Sequence, residues 1–164
     1  MQFTIGHCSL GFVLVAASDA GICAITLGDD ADALVDDLRD RFPGAELIAE
    51  EKDLQERIET VIELVEYPQI TFDLPLDIRG TAFQQRVWTA LRQIPAGQTA
   101  TYSEIAERIG SPQSVRAVAQ ACGANPIAIA IPCHRVVRTD GSLSGYRWGT
   151  QRKVALLERE REGR

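Results

Sequence analysis

The chain has 164 residues, of which 45% are hydrophobic and 24% charged, a balance typical of a globular protein with one domain or two small ones. It holds no stretch of 18 apolar residues and no basic-then-apolar N-terminus, which argues against a membrane span and a secretory signal. The net charge of −6 is unevenly divided, because residues 1–80 carry −12 and residues 81–164 carry +6. A polyanion would therefore be steered to the second half.

Residues 1–78 have the pattern of a small α/β unit. Two β-rich runs within residues 11–27 flank the turn formers Asp19-Ala20-Gly21, which predicts a hairpin. Asp30 is placed to cap one amphipathic helix, and a second follows Asp53. We expect this portion to be a scaffold without chemistry of its own.

Charge and pattern both change near Gly80, and a succession of capped helices follows. Thr81 to Gln84 and Thr101 to Glu104 each have the spacing of a capping box. Ser111-Pro112 supplies an N-cap and an N1 proline for a third helix, from Gln113 to about Cys122. Two helices joined by a short turn that contains glycine predict a helix-turn-helix.

The third predicted helix carries mostly small side chains and one arginine, Arg116. Small residues allow a helix to come close to a DNA strand but offer few groups that read base edges, so this helix would bind DNA with little sequence preference. An alanine-rich helix packed in the core explains the same pattern equally well. On spacing alone, both interpretations stay open.

A second pattern points to chemistry. The run Ile127 to Ile131 is apolar at every position and leads through Pro132 into Cys133 and His134. Such a run predicts a short buried extended segment that delivers a thiol beside a base, which suits a thiolate nucleophile. The alternative is that Cys133 is a small buried hydrophobe, as unpaired cysteines usually are.

The four cysteines have neither a CxxC pair nor dense regular spacing. We therefore expect reduced thiols in a cytoplasmic protein. A zinc site is poorly supported, since only two histidines accompany these scattered cysteines.

The motif Pro132-Cys133-His134-Arg135-Val136, standing behind Asn125-Pro126 and the predicted helix-turn-helix, resembles the active-site signature of the O6-alkylguanine-DNA alkyltransferases. The tract from Gly141 to Gly149 is similar to family members whose methyltransferase domain follows a regulatory region in a longer chain. The resemblance is strongest over about residues 78–160.

The resemblance implies an α/β fold, with a ribonuclease H-like N-terminal domain at 1–78 and a mainly helical helix-turn-helix domain at 79–164. It implies direct repair of double-stranded DNA that contains alkylated guanine. A methyl group would pass irreversibly from O6-methylguanine to the protein's own cysteine. O4-methylthymine is implied as a further substrate, and the sequence leaves its relative rate open. No cofactor, no metal, no membrane and no obligate protein partner are implied, and we expect a monomer.

Four residues receive catalytic roles from the resemblance. Cys133 matches the alkyl acceptor, and His134 matches the histidine that draws off its proton through a water. Glu160 matches the carboxylate that orients the histidine, although the pattern alone predicts a solvated charge at a helix end. Tyr102 matches the tyrosine that helps rotate the nucleotide and protonates the departing base.

Binding roles follow in the same way. Arg116 matches the arginine that enters the duplex where the base leaves, and Asn125 matches the asparagine between recognition helix and active site. The other expected DNA contacts are Ser114, Ala117, Ala121 and Arg135, and the expected pocket residues are Val136, Ser144, Tyr146 and Trp148.

Two other classes of function share part of the pattern. A helix-turn-helix protein that only marks lesions would lack the acceptor cysteine, which is present here as Cys133. A cysteine hydrolase usually has its histidine far away in sequence, and the chain has no recognisable oxyanion-hole motif.

The sequence does not distinguish a stand-alone protein from one domain of a longer chain. The zinc ligands and activator region of some relatives are absent, so phosphotriester repair and transcriptional activation are not predicted.

Overall fold

The computed structural model describes residues 1–50 and 52–163. It divides into two compact units, Met1–Ile78 with Pro126–Ala128, and Arg79–Asn125 with Ile129–Arg164. The domain boundaries that we predicted, 1–78 and 79–164, remain our proposal for the domain organisation. Within the described residues, no helix is both long enough and apolar enough to cross a membrane.

The first unit is built on a four-stranded sheet in the order β3-β2-β1-β4. The predicted hairpin is confirmed, because β2 pairs antiparallel with β3, and β2 also pairs antiparallel with β1. Five successive residues of β2 are buried, which indicates that both faces of the central strands are covered. The strands are β1 (Gln2–Cys8), β2 (Gly11–Ser18), β3 (Gly21–Gly28) and β4 (Ile48–Ala49).

Two helices pack on this sheet, α1 (Ala31–Arg41) against β2 and β3 and α2 (Gln55–Glu66) against β1 and β2. Asp30 caps α1 as predicted, since its side chain accepts from the backbone N–H of Asp32 at 2.9 Å. β3 also makes two isolated parallel bridges, Ile22 with Leu76 and Ile25 with Ile127. The second bridge is why Pro126–Ala128 belong to this unit.

The second unit is mainly helical, with one pair of short parallel strands. The capping box at the start of its first helix is confirmed, because Thr81 Oγ1 accepts from Gln84 N at 3.1 Å and Gln84 Oε1 accepts from Thr81 N at 3.0 Å. The elements are α3 (Ala82–Arg92), β5 (Ala100–Thr101), α4 (Tyr102–Arg108), α5 (Val115–Gly123), a 3₁₀ turn (Cys133–Arg135), β6 (Val136–Val137) and α6 (Thr150–Arg161).

The helix-turn-helix consists of α4 and α5, but α5 begins later than predicted. Ser111 does not cap it, because its hydroxyl bonds to the Ser114 hydroxyl at 2.6 Å and its carbonyl accepts from Ser114 N at 2.9 Å. These bonds close a turn before the helix starts at Val115. At the other end of α5, Trp88 Nε1 of α3 donates to the Ala121 carbonyl at 2.9 Å and fixes α5 against α3.

The segment before the thiol is buried as predicted but is not a continuous strand. Ile129 has a φ of 72°, a left-handed conformation that interrupts any extended ladder. The chain therefore turns after the Ile127 bridge, and Cys133 begins a 3₁₀ turn rather than ending a strand.

Candidate active site

The Cys133 thiol lies in the interior, with 5% of the residue exposed, and the Asn125 side chain holds it. Asn125 Nδ2 donates to the sulfur at 3.3 Å and to the Ile131 carbonyl at 2.8 Å. Burial raises the pKa of Cys133 to about 11, although the Asn125 hydrogen bond and the Lys153 charge oppose this. The resting thiol is therefore protonated at neutral pH, whereas the sequence had led us to expect a prepared thiolate.

Next to the thiol, His134, Arg135 and Glu160 form a buried network. His134 Nε2 lies 2.7 Å from Glu160 Oε1, and Arg135 Nε donates to the two carboxylate oxygens at 3.0 and 3.1 Å. Arg135 Nη1 donates to the Ile94 carbonyl at 2.6 Å. Because each charge is paired and hydrogen-bonded, the network avoids the cost of an isolated buried ion.

The network sets the state of the histidine. Burial lowers the pKa of His134, and it outweighs the opposing hydrogen bond and charge of Glu160. Burial also acts to raise the pKa of Glu160, but the hydrogen bond from His134 and the bonds and charge of Arg135 outweigh it, and the pKa lies below its usual value. A neutral imidazole beside a carboxylate carries its proton on Nε2, so Nδ1 is left as an acceptor. Among the described residues, this buried Nδ1 has no hydrogen-bond partner.

The pattern alone placed Glu160 in solvent, yet the residue is 2% exposed. A usable signal was present: Lys153, Leu156, Leu157 and Glu160 have the i, i+3, i+4, i+7 spacing of one helix face, and all four are buried. The same stripe contains Lys153, which sequence reasoning missed. Its Nζ donates to the Val136 carbonyl at 2.8 Å and to Ser144 Oγ at 3.1 Å.

Tyr102, at the start of α4, joins this group from the other side. Its hydroxyl is hydrogen-bonded to Ser144 Oγ, which links it to the Lys153 ammonium. Burial raises the pKa of Tyr102, partly offset by the Ser144 bond. The tyrosine therefore keeps its proton at neutral pH.

Aromatic rings from the loop before α6 pack beside the histidine. The centroid of the Tyr146 ring lies 6.5 Å from that of His134 and 5.2 Å from that of Trp148, both edge-to-face. Trp148 is 6% exposed, and the Arg147 guanidinium lies 5.8 Å above its ring. The predicted pocket residues Val136, Ser144, Tyr146 and Trp148 thus lie in the same unit as Cys133.

The residues expected to contact DNA divide into two groups. Arg116 is exposed on α5, with Ser114 and Ala117 half-buried near it. Ala121 is only 2% exposed, and it lies where Trp88 fixes α5 against α3. The guanidinium of Arg135 is bound by Glu160 and Ile94 and is not free to bind a phosphate, so the structure corrects both expectations.

The second unit thus combines a helix-turn-helix with a buried thiol, a neutral histidine and a carboxylate. The family described as 6-O-methylguanine DNA methyltransferase, DNA binding domain, matches residues 82–162. The chain is 52% identical to the bifunctional transcriptional activator/DNA repair enzyme Ada of Escherichia coli, over 99% of this chain and 46% of that protein. It is 45% identical to the inducible methylated-DNA–protein-cysteine methyltransferase of Bacillus subtilis, over 75% of this chain and 69% of that protein.

A solved structure of Mycobacterium tuberculosis OGT in complex with DNA superimposes with a TM-score of 0.85 at 34% identity, covering 99% of this chain and 94% of that one. The chain belongs to the O6-methylguanine-DNA methyltransferase family. It spans less than half the length of the Ada relative.

The lowered pKa of His134 predicts a pH dependence of folding stability. In the unfolded chain His134 titrates near 6.5, so below that pH the unfolded state binds the extra proton, and stability falls as pH drops. The fall in stability should begin between about pH 7.5 and pH 5.5, where the imidazole of the unfolded chain takes up its proton. Urea unfolding of the wild type and of His134→Asn at several pH values in this range measures the pH dependence of the free energy of unfolding. His134→Asn should lose this component, and the exposed control His7→Asn should keep it; an unchanged slope in His134→Asn would contradict the assignment.

Proposed function

We propose that this chain repairs alkylated duplex DNA directly, by moving the methyl group of O6-methylguanine onto its own Cys133. The observation that carries the proposal is a buried thiol, held by Asn125, whose neighbour in sequence is a buried neutral His134 with no partner for Nδ1 among the described residues. Domains 1–78 and 79–164 would then divide into scaffold and chemistry.

The first step is activation of the thiol. A protonated Cys133 is a poor nucleophile, so its proton must leave as the sulfur attacks. In this proposal a water carries the proton to His134 Nδ1, and the Glu160 carboxylate stabilises the imidazolium that forms. Arg135 keeps Glu160 ionised and is a positioning residue.

In the second step the sulfur displaces guanine from the methyl carbon in line. The C–S bond forms as the C–O bond breaks, and the electron pair of the broken bond leaves with the base. Tyr102, still protonated, donates a hydrogen bond or a proton to the base as that charge develops. The product is an uncharged thioether without an activated leaving group, so each protein molecule would act once.

Access requires the base to leave the helix stack, because guanine O6 lies inside the duplex. Arg116, exposed on α5, is suited to occupy the space the base leaves, and Ser114 and Ala117 allow close approach to the backbone. Unstacking costs a few kcal/mol and less for a damaged pair, which favours lesions. We propose double-stranded DNA as the only obligate partner, O4-methylthymine as a second substrate, and the cytoplasm as the location.

Incubation with a duplex carrying one labelled O6-methylguanine tests the proposal. We expect one methyl group per protein molecule, on the peptide that contains Cys133, with no turnover at excess substrate. Cys133→Ser should transfer none, because a serine hydroxyl is a far weaker nucleophile, whereas Cys8→Ser should match the wild type. Methyl transfer by Cys133→Ser, or turnover by the wild type, would overturn the proposal.

Arg116→Ala should reduce the transfer rate from methylated duplex by about tenfold or more, because no side chain would then fill the space that the extruded base leaves in the stack. The rate from free O6-methylguanine base should change little, since no stack has to open. Arg92→Ala is the matched control: it removes one exposed arginine of the same unit, on α3, and leaves α5 intact. Equal losses of rate in the two variants would show that Arg116 contributes only its positive charge.

The indole of Trp148 beside Tyr146 predicts a pocket that favours small alkyl groups. Transfer of a benzyl group should be at least about tenfold slower than transfer of methyl, because the ring has to displace a packed side chain. Trp148→Ala should bring the two rates closer together. The ratio of benzyl to methyl rates within each protein is the measurement, so that a general loss of stability cancels. Similar rates in the wild type would refute the prediction.

A further inference from the structure

Lys153 is a buried cation for which the reaction outlined above has no use. It is 1% exposed, and its ammonium donates to the Val136 carbonyl at 2.8 Å and to Ser144 Oγ at 3.1 Å. Burial lowers the pKa of Lys153, so holding it there costs stability. A lysine kept in the interior at such a cost commonly has a role at a functional site.

The hydrogen bonds of Lys153 favour one direction in a short chain that runs through Ser144 to Tyr102. An ammonium has only donors, so Ser144 Oγ must accept from it. The Ser144 proton is then free to be donated to the Tyr102 oxygen, with which Ser144 is hydrogen-bonded. With its oxygen accepting from Ser144, Tyr102 has its own proton left to donate elsewhere.

Resting on the function proposed above, we propose that Lys153 is a positioning residue that acts through Ser144, directing the Tyr102 proton to the departing guanine and replacing it as it leaves. The ammonium at one end of the chain polarises the Ser144 hydroxyl, which favours donation from Ser144 to Tyr102 over the reverse orientation, in which Tyr102 would donate to Ser144 and offer the base nothing. Charge-assisted hydrogen bonds also strengthen the bonds that follow them in a chain.

The proton inventory of this step balances. As the base accepts the Tyr102 proton, Tyr102 takes the Ser144 proton and Ser144 takes one from the Lys153 ammonium, which becomes a neutral amine. The thiol proton has meanwhile passed toward His134, so the protein holds the same number of protons as before, less the one now on guanine. After release of the DNA, proton exchange with solvent returns Lys153 to the ammonium and His134 to the neutral imidazole.

A simpler role for Lys153 would be its positive charge alone, which favours the Cys133 thiolate. The two roles differ in their dependence on the leaving group. Methylation of Cys133 by methyl iodide expels iodide, which needs no proton, so this reaction reports thiol activation alone. Transfer from O6-methylguanine needs thiol activation and protonation of the base. The ratio of the two rates at Cys133 therefore isolates the chain that ends at Tyr102.

The test compares wild type, Ser144→Ala, Ser144→Thr and Lys153→Met in single-turnover transfer from methylated duplex and in reaction with methyl iodide, both followed on the Cys133 peptide. In Ser144→Ala the ratio of DNA rate to methyl iodide rate should fall by about tenfold, as for loss of one charge-assisted hydrogen bond. It should fall at least as far in Lys153→Met. Ser144→Thr retains the hydroxyl and should restore most of the ratio.

A double-mutant cycle with Tyr102→Phe completes the design. If Ser144 acts through Tyr102, Ser144→Ala should cost less than about twofold once the tyrosine hydroxyl is gone. An unchanged ratio in Ser144→Ala, or an equal cost with and without the Tyr102 hydroxyl, would overturn the inference. If Lys153→Met does not fold, the Ser144 variants and the double-mutant cycle still test whether Ser144 acts through Tyr102. Failure of the wild type to methylate Cys133 would instead refute the proposed function itself.

Discussion

The Glu160 carboxylate is the group on which the rest of the second unit depends. It binds His134 at 2.7 Å and Arg135 at 3.0 Å, and Arg135 in turn holds the Ile94 carbonyl just beyond α3. One carboxylate thus connects α6, the 3₁₀ turn that carries the thiol, and the end of the helix that supports α5. Removing it would strand a buried guanidinium, a change that typically costs several kcal/mol. The same contact therefore supports the packing of this unit and the position of His134.

Burial acts on each ionisable group of the site in the direction that keeps it neutral. It raises the pKa of Cys133 and of Tyr102 and lowers that of His134. The resting site is therefore a neutral thiol, a neutral base and a neutral acid, with charge confined to Glu160, Arg135 and Lys153. A thiol in this state reacts slowly with incidental electrophiles. In the proposed reaction the bound base supplies the carbon that the sulfur attacks and accepts a proton from Tyr102.

The sequence was informative where local physics decides the outcome. The hairpin, the Asp30 cap and the capping box at Thr81 follow from short-range preferences, and all three are present. Ser111 failed as a cap because a neighbouring hydroxyl, Ser114, competed for it. Apolar composition predicted burial of the segment before Cys133. It did not predict the left-handed Ile129, which depends on tertiary packing. Glu160 and Lys153 were unrecognised as buried from pattern alone because charged residues on a helix end are usually solvated.

The excursion of the chain between Asn125 and Cys133 limits how far this protein can be shortened. Pro126–Ala128 leave the helical unit and are anchored by Ile25, whose N–H donates to the Pro126 carbonyl at 3.0 Å and whose carbonyl accepts from Ala128 N at 2.9 Å. A minimal fragment that starts at residue 79 would retain every reactive group. It would also lose Ile25, which anchors the segment between Asn125 and the Cys133 sulfur that Asn125 holds.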